Sequence, residues 1–288
     1  MNYRHAYHAG NFADVLKHAV QALVIERLKA KDAAFRVIDT HAGVGIYDLS
    51  SDAAHKTGEW LAGIGRLMGP DAVPLPPAAA DVLAPYLGAV RAYNAPGRIS
   101  RYPGSPKVAR AMLRPQDRLV VNELHTEDVA ALRTAFRGDR QTKVMDIDGW
   151  VALKALLPPP ERRGVVLIDP PFEVPGELER MADAIQAAVK RFATGVYLLW
   201  YPIKDRGPVR RFHQLLAASG IPRLMSVELM IRRALDPGLL NGTGLVLLNP
   251  PYGIEQQLEV LLPCLAERLA SDARGSWSVD WIRDENGR

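Results

Sequence analysis

This 288-residue chain has very little cysteine and no long apolar run. Its single cysteine, Cys264, excludes a disulfide framework and any zinc site built from cysteines. No uninterrupted apolar run approaches the roughly 20 residues that a transmembrane helix needs. The N-terminal residues also lack the apolar region of a signal peptide. These absences predict a cytoplasmic protein.

Charge and length restrict the class of protein and the number of domains less strongly. The chain has 36 Lys and Arg against 32 Asp and Glu, which gives a formal charge of +4 and a pI of about 9.2. Such mild basicity permits a polyanionic partner without requiring one. The composition, 48% hydrophobic and 24% charged, is typical of a globular protein with a sizeable core. The length predicts one large domain with an insertion, or two domains.

The segment from Gly164 to Phe172 is the most informative part of the sequence. It opens with four apolar residues, three of them β-branched, which is typical of a strand buried on both faces. Asp169, Pro170 and Pro171 then force a turn at the carboxyl end of the strand, where open α/β sheets place their ligand crevice. There, Asp169 and the Pro170 carbonyl could accept from an exocyclic amine while Phe172 stacks on the base. The alternative is a plain strand followed by a proline turn.

An earlier strand, 35–39, leads into a small-residue loop, Ala42-Gly43-Val44-Gly45. Glycines at this place let the backbone approach a ligand closely. The dinucleotide fingerprint wants a third small residue three positions on, and here that position is Asp48, whose charge would repel a pyrophosphate. The loop therefore favours an uncharged or cationic ligand such as S-adenosylmethionine, and it disfavours a nicotinamide oxidoreductase.

Residues 48–104 are predicted to form a helical insertion subdomain, so that 1–47 and 105–288 make up the main domain. Helix-length segments at 51–68 and 77–94 flank a proline-rich linker. The segment 98–114 is rich in arginine, and it is either a solvated face or a phosphate-contacting patch. The pair Ser105-Pro106 is predicted to supply the N-cap and first residue of a helix.

The N-terminal part of the chain is predicted to form a helix that begins after the N-cap Asn11 and ends near Ala30. His5, His8 and His18 could suggest a metal site, but their spacing matches no known ligand triad. We expect them to line a polar crevice instead. We predict no metal.

Strands and helices alternate from residue 118 onward, which predicts a parallel sheet with crossover helices. Further strands are expected at 118–123, 143–149, 194–200, 224–231 and 243–248, for a total of seven. Glu123 ends the first of these strands, as a ribose-binding carboxylate should. Asp148 and Gly149 end the next one.

Four successive strand ends therefore carry Gly-x-Gly, Glu, Asp-Gly and Asp-Pro-Pro-Phe. This order resembles the Rossmann-like S-adenosylmethionine-dependent methyltransferases that act on amino groups, whose signature is (Asp/Asn)-Pro-Pro-(Tyr/Phe/Trp). The resemblance is closer to the RlmJ family, which makes N6-methyladenine in large-subunit ribosomal RNA. The segments that resemble this family run through nearly the whole chain: Tyr3-Arg4-His5, His8-Ala-Gly-Asn11, Ala13-Asp-Val-Leu-Lys-His18, Asp39-Thr-His-Ala-Gly43, Tyr102-Pro-Gly-Ser-Pro106, Glu123-Leu-His125, Ile168-Asp-Pro-Pro171, Arg191-Phe-Ala-Thr-Gly195 and Leu199-Trp-Tyr-Pro202.

The resemblance implies a class I methyltransferase fold, a seven-stranded and mostly parallel sheet with an antiparallel last strand. It implies S-adenosylmethionine as cofactor and 23S rRNA, naked or in early assembly, as partner of a monomeric enzyme. The implied catalytic residues are Asp169, Pro170 and Phe172, and the implied RNA contacts are Tyr3, Arg4 and Lys17. The implied cofactor pocket consists of His18, His41, Gly43, Ser105, Glu123, Asp148, Gly149 and Asp169. Phe172 departs from the family pattern, where tyrosine is expected, but both rings can stack.

A second tetrapeptide, Asn249-Pro250-Pro251-Tyr252, matches the general signature even better. In the fold that the resemblance implies, the seventh strand is antiparallel, so Asn249 should lie far from the methyl donor. We therefore predict that Asp169 is catalytic and Asn249 is not. The alternatives are an amino-methyltransferase of DNA adenine or protein glutamine, and an inactive RNA-binding module. No separate target-recognition domain is evident, which argues against DNA.

Overall fold

The computed structural model describes residues 5–272 and 274–285. Its strands are β1 (Arg36–Asp39), β2 (Ile46–Asp48), β3 (Arg101–Pro103), β4 (Arg118–Asn122), β5 (Thr142–Met145), β6 (Gly164–Ile168), β7 (Val196–Ile203), β8 (Leu224–Met230), β9 (Gly242–Leu248) and β10 (Ser276–Arg283). Its helices are α1 (Phe12–Lys29), α2 (Asp52–Thr57), α3 (Glu59–Ala62), α4 (Gly65–Met68), α5 (Pro77–Arg91), α6 (Ser105–Met112), α7 (Thr126–Ala135), α8 (Gly149–Leu156), α9 (Glu177–Arg191), α10 (Arg206–Ala218) and α11 (Ile254–Leu269). None of the helices in these ranges is long and apolar enough to cross a membrane.

Within the described residues, eight strands form one sheet in the order β10-β8-β9-β7-β6-β1-β4-β5. Strands β5, β4, β1, β6 and β7 are parallel, and β9 runs antiparallel between β7 and β8. The predicted fold, with its antiparallel seventh strand, is confirmed. The predicted count of seven strands is short by one, because β10 adds an antiparallel edge strand beside β8. Most of β10 is exposed or only half-buried, so it lacks the apolar pattern of an interior strand.

Helices cover both faces of the sheet. The sequence of β6 reflects this, because its side chains are buried on both faces. All five residues of β6 are buried. Val165 and Leu167 face a core that includes α1, α5, α6 and α11. Val166 and Ile168 face a second core that includes α8, α9 and α10. The alternation follows from the two-residue period of a strand, and it explains the continuous apolar run.

The insertion differs in detail from its prediction. Three short helices, α2 to α4, replace the helix expected over 51–68, while α5 occupies the second predicted segment. Gly58 has φ of +61°, a backbone conformation that favours glycine. A Cβ at Gly63 would lie 2.0 Å from the Gly10 carbonyl oxygen, so no larger residue fits there. These two glycines interrupt the helix predicted over 51–68. The unpredicted pair β2 and β3 joins the two ends of the insertion. Apolar side chains of α5 share one core with α1, and the division into two domains stays a prediction.

Two local expectations had different outcomes. Asn11 is the N-cap of α1, as predicted, and its side-chain oxygen accepts from the backbone N–H groups of residues 13 and 14. The predicted N-cap Ser105 is wrong by one position, since Gly104 is the N-cap and Ser105 is the first helical residue. The hydroxyl of Ser105 donates to Asp39 at 2.6 Å instead.

Three cations of the arginine-rich segment 98–114 have partners within the fold, and the choice between a solvated face and a phosphate-contacting patch stays a prediction. Lys107 is buried and donates to the Ala135 carbonyl, Arg110 pairs with Asp139 at 2.5 Å, and Arg114 pairs with Asp117 at 2.9 Å. These cations are used to hold α6 against its neighbours. The sequence could not show this, because all three acceptors, at positions 117, 135 and 139, come from later segments.

Candidate active site

A cavity of about 920 Å³ lies at the carboxyl ends of the parallel strands. All the predicted site residues in the described part of the chain line it: Lys17, His18, His41, Gly43, Ser105, Glu123, Asp148, Gly149, Asp169, Pro170 and Phe172. Tyr3 and Arg4, predicted to contact RNA, lie outside the described residues. Most of these residues are far apart in the sequence, so the sheet is what brings them together.

Strand register explains why the acids meet. β1 pairs with β6 on one side and with β4 on the other, all in parallel. Asp39 is opposite Leu167 in β6 and opposite Val121 in β4. Asp169 and Glu123, each two residues beyond those partners, therefore emerge at the same edge as the glycine loop that follows Asp39. This is the place that open α/β sheets use for ligands.

Asp169 is held by an ion-pair network from α1. One ammonium, that of Lys17, donates to Asp169 Oδ2 at 2.6 Å and lies 2.9 Å from Asp14 Oδ1. Burial opposes the charge of Lys17, but the two carboxylates raise its pKa above the ordinary value. Burial also acts against the charge of Asp14, yet His5 at 2.9 Å and Lys17 hold the pKa of Asp14 well below its usual range. The network keeps Asp14 ionised and fixes one oxygen of Asp169.

Two aromatic rings border the side of the cavity next to Asp169. The rings of Phe172 and Trp200 meet edge to face, with centroids 5.6 Å apart. Phe172 has φ of +52°, an uncommon conformation for an aromatic residue, which turns it back against the end of β7. Trp200 is fixed by a hydrogen bond from Nε1 to Thr243 Oγ1 at 2.7 Å. The two rings supply an apolar surface of the kind on which a base can stack.

His18 is the buried end of a hydrogen-bonded chain from the insertion. Its Nδ1 lies 2.8 Å from the Tyr102 hydroxyl, which lies 3.0 Å from the Tyr86 hydroxyl. Burial lowers the pKa of His18 to about 3, so the ring is neutral. In the described residues Tyr86 has no other hydrogen-bond partner. Donation from Tyr86 to Tyr102, and from Tyr102 to Nδ1, is therefore the direction that leaves the fewest buried polar atoms unsatisfied.

The direction of this chain leaves the proton of His18 on Nε2. Asp14 Oδ1, 3.8 Å from Nε2, favours the same tautomer because a carboxylate repels a nitrogen lone pair. The Nε2 atom is buried and has no hydrogen-bond partner within residues 5–272 and 274–285. His18 therefore presents an unsatisfied donor beside the cavity.

The opposite half of the cavity combines one acid with close backbone packing. Glu123 accepts from the backbone N–H of Gly43 at 2.8 Å and from that of His125 at 2.9 Å, and burial raises its pKa. Gly149 packs so closely on His41 that a Cβ would lie 2.4 Å from the ring Nε2. Asp148 is the N-cap of α8, because its Oδ1 accepts from the backbone N–H groups of residues 150 and 151. These contacts shape a rigid wall.

Asp39 lies completely buried beneath the glycine loop. Ser105 donates to its Oδ2 at 2.6 Å, and the backbone N–H of His41 is 3.3 Å from its Oδ1. Burial raises the pKa of Asp39 to about 7 against these hydrogen bonds, and the nearby charge of Asp169 adds to the rise. Asp39 therefore supports the loop rather than contacting the cavity.

Sequence reasoning missed three residues of this site: Asp14, Tyr102 as a partner of His18, and Trp200. The spacing of Asp14, Lys17 and His18 puts all three on neighbouring turns of one helix, a signal that could have suggested a network. No comparable local signal exists for Tyr102 or Trp200. In the described part of the chain, no three His, Cys, Asp or Glu side chains are grouped so that they could hold a metal ion.

Asn249 lies at the other edge of the sheet. Leu248 is opposite Tyr197 near the start of β7, because β9 is antiparallel to β7. Asn249 is thus next to the amino end of a strand whose carboxyl end borders the cavity. The expected separation of Asn249 from the site is confirmed.

Comparison with known proteins gives a consistent result over nearly the full length. The family model described as "Ribosomal RNA large subunit methyltransferase D, RlmJ" matches residues 32–283. Ribosomal RNA large subunit methyltransferase J of Escherichia coli is 43% identical over 285 residues, which cover 99% of this chain and 100% of that protein. The protein of the same name from Haemophilus influenzae is 43% identical over 286 residues, again 99% and 100%.

A solved structure also matches the whole fold. The crystal structure of a protein from Legionella pneumophila is 32% identical to this chain, with a TM-score of 0.86. The match covers 95% of this chain and 98% of that one. The insertion and the sheet are therefore both part of a shared architecture.

Proposed function

This chain belongs to the RlmJ family of ribosomal RNA large subunit methyltransferases, and we propose on that premise that it methylates N6 of an adenine in 23S rRNA, with S-adenosylmethionine as the donor. The observation that best supports this is the place of Asp169. It follows β6 directly beside the glycine loop of β1, in one cavity with Phe172 and Trp200.

The residues of the cavity fit S-adenosylmethionine. The buried Nε2–H of His18 lacks an acceptor, and the cofactor offers carboxylate and hydroxyl oxygens. Glu123 has the position of a ribose-binding carboxylate at the end of its strand. The glycine loop leads into β2 and not into a helix, so it offers no helix N-terminus for a pyrophosphate. When bound, S-adenosylmethionine supplies an electrophilic methyl group on a sulfonium sulfur. His18, His41, Gly43, Ser105, Glu123, Asp148 and Gly149 would form its pocket.

Asp169 and Pro170 would orient the amine. The lone pair of an adenine amine is delocalised into the ring, so the nitrogen is a poor nucleophile until it becomes pyramidal. Lys17 occupies Asp169 Oδ2, which leaves Oδ1 to accept one N–H while the Pro170 carbonyl accepts the other. Methyl transfer would join this lone pair to the methyl carbon as the carbon–sulfur bond of the donor breaks. The N–H proton held by Asp169 Oδ1 would then leave through that oxygen to solvent. In-line placement is the main contribution of the protein.

Phe172 and Trp200 would receive the base after it leaves its stack. Removing a base from a stack costs a few kcal/mol, and stacking on aromatic side chains offsets part of this. Naked or early-assembly 23S rRNA as the substrate, a monomeric state and a cytoplasmic location are parts of the same proposal.

Methyl transfer from labelled S-adenosylmethionine to in vitro transcribed 23S rRNA, followed by digestion to nucleosides, tests the proposal. We expect labelled N6-methyladenosine from the wild-type protein. Asp169→Ala should abolish turnover and keep cofactor binding largely intact, as measured by calorimetry. Near-wild-type turnover by this variant would refute the role of Asp169. Label in DNA or protein, but not in RNA, would favour the alternative substrates, which the comparisons do not support.

A further inference from the structure

Five Lys and Arg side chains in the described part of the chain line the cavity, and three of them already have partners. Lys17 is paired with Asp14 and Asp169. Arg66 donates to two carbonyl oxygens at the end of α11, at 3.0 and 2.6 Å. Arg180 lies 3.6 Å from Asp148 and 3.8 Å from Glu177, over the ring of a tryptophan. The remaining two cations that line the cavity are Lys204 and Arg232.

Lys204 and Arg232 have no carboxylate within 4.0 Å among residues 5–272 and 274–285. The Nε atom of Arg232 is buried and makes no hydrogen bond to the described residues. The nearest acids in the sequence are used elsewhere. Asp205 accepts from the backbone N–H of residue 207 at 2.9 Å as the N-cap of α10, and Asp236 accepts from that of residue 238 at 2.8 Å. The two cations are therefore available to an external anion.

The fold holds the two cations on the same side of the sheet as the catalytic acid. Strands β6, β7 and β8 run in the same direction, so their carboxyl ends share one edge. Lys204 follows the end of β7, and Arg232 follows the end of β8. They lie on the side of Asp169 that is opposite the glycine loop and the cofactor half of the cavity. This is the side on which the base-stacking rings of Phe172 and Trp200 also lie.

A buried asparagine ties the two segments together. Asn241 is fully buried, and its Nδ2 donates to the Lys204 carbonyl at 2.8 Å and to the Asp236 carbonyl at 2.7 Å. Its backbone N–H donates to the Ile203 carbonyl, and its own carbonyl accepts from the N–H of Ile231, each at 3.0 Å. The backbones that carry Lys204 and Arg232 are thus cross-linked by four hydrogen bonds of one residue. The backbone positions from which the two cations extend are therefore fixed relative to each other.

We propose that Lys204 and Arg232 bind backbone phosphates of the RNA next to the adenine that enters the site. The proposal rests on the proposed function and specifies how the RNA approaches: over the β7 and β8 ends of the sheet, away from the cofactor pocket. Lys and Arg contacts to phosphates supply affinity and register without reading the sequence. The arginine fork suits a phosphate, and the free Nε of Arg232 is one of its donors.

The dependence of RNA affinity on salt tests the proposal. Binding of the in vitro 23S transcript is measured at several salt concentrations for the wild-type protein, Lys204→Ala and Arg232→Ala. Each lost phosphate contact should lower the slope of log affinity against log salt by about 0.7 to about 0.9. Between about 50 and about 200 mM salt, the affinity of each variant should therefore fall about threefold less than that of the wild-type protein. The Michaelis constant for RNA should rise in both variants.

Arg140→Ala is the matched control, because Arg140 is exposed and precedes β5 at the opposite edge of the sheet. Its slope should equal that of the wild-type protein. Arg232→Lys, which keeps the charge, guards against a fold defect in the alanine variant, and it should retain the slope. Wild-type slopes in Lys204→Ala and Arg232→Ala, with a wild-type protein that methylates the transcript, would overturn the phosphate contact alone. If the wild-type protein left the transcript unmodified, the proposed function would fail and this inference with it.

Discussion

Asp39 offers a test of the structure that does not depend on catalysis. Its carboxyl group is completely buried beneath the glycine loop, and burial raises its pKa from 3.8 to about 7. The folded protein therefore binds this proton more tightly than the unfolded chain does. Stability from this group is fully present below the unfolded pKa and is lost as the pH rises toward the folded pKa.

The size of the effect follows from the shift. A rise from 3.8 to about 7 corresponds to about 4 kcal/mol at about 1.4 kcal/mol for each pH unit. Asp39→Asn places a neutral group of the same shape at the site. Its oxygen can still accept from the backbone N–H of His41, and the hydroxyl of Ser105 can turn to accept from the new amide. We therefore expect the variant to gain up to about 4 kcal/mol over the wild-type protein between about pH 4 and about pH 8.

Urea unfolding of both proteins across this range measures the difference. Titrating groups that do not interact with Asp39, such as His18, contribute equally to both proteins and cancel in the comparison. The slope m should stay constant, so that a shift in the midpoint reports stability. Asp183→Asn, at an exposed position of α9, is the control and should follow the wild-type protein at every pH. A difference between Asp39→Asn and wild type that does not change with pH would refute the reasoning.

Two further predictions concern the walls of the cofactor pocket. Tyr102→Phe should destabilise the protein by about 1 to 3 kcal/mol, because it leaves the buried O–H of Tyr86 without an acceptor. Tyr86→Phe leaves Tyr102 paired with His18 and should cost less; urea unfolding that ranked the two variants in the reverse order would contradict the direction of the hydrogen-bonded chain. Gly149→Ala should abolish S-adenosylmethionine binding in calorimetry while circular dichroism stays unchanged, since the new Cβ would lie 2.4 Å from the His41 ring; wild-type affinity would show that the ring moves freely.

The parts of the site that follow from the sequence are those fixed by strand ends. Asp169, Glu123 and the loop around Gly43 could be grouped in advance, because each follows a recognisable buried strand and parallel strands end at a common edge. The bond between Lys17 and Asp169 joins residues 152 positions apart, and that between His18 and Tyr102 joins residues 84 apart. Such contacts depend on how α1 and the insertion pack on the sheet, and no periodicity or spacing encodes them.

The two proline tetrapeptides also show that local sequence does not reveal which residues meet in the fold. Asp169-Pro-Pro-Phe172 and Asn249-Pro-Pro-Tyr252 both follow buried strands, and each contains one residue, Phe172 or Asn249, with φ of +52°. Locally they are near equivalents, and the second is the better match to the signature. The Asn249 amide donates to the carbonyls of residues 193 and 195, at 2.8 and 2.9 Å, so it fastens the turn that leads into β7. Only the direction of a strand, which is set by its partners, makes one tetrapeptide a candidate for catalysis and the other part of the scaffold.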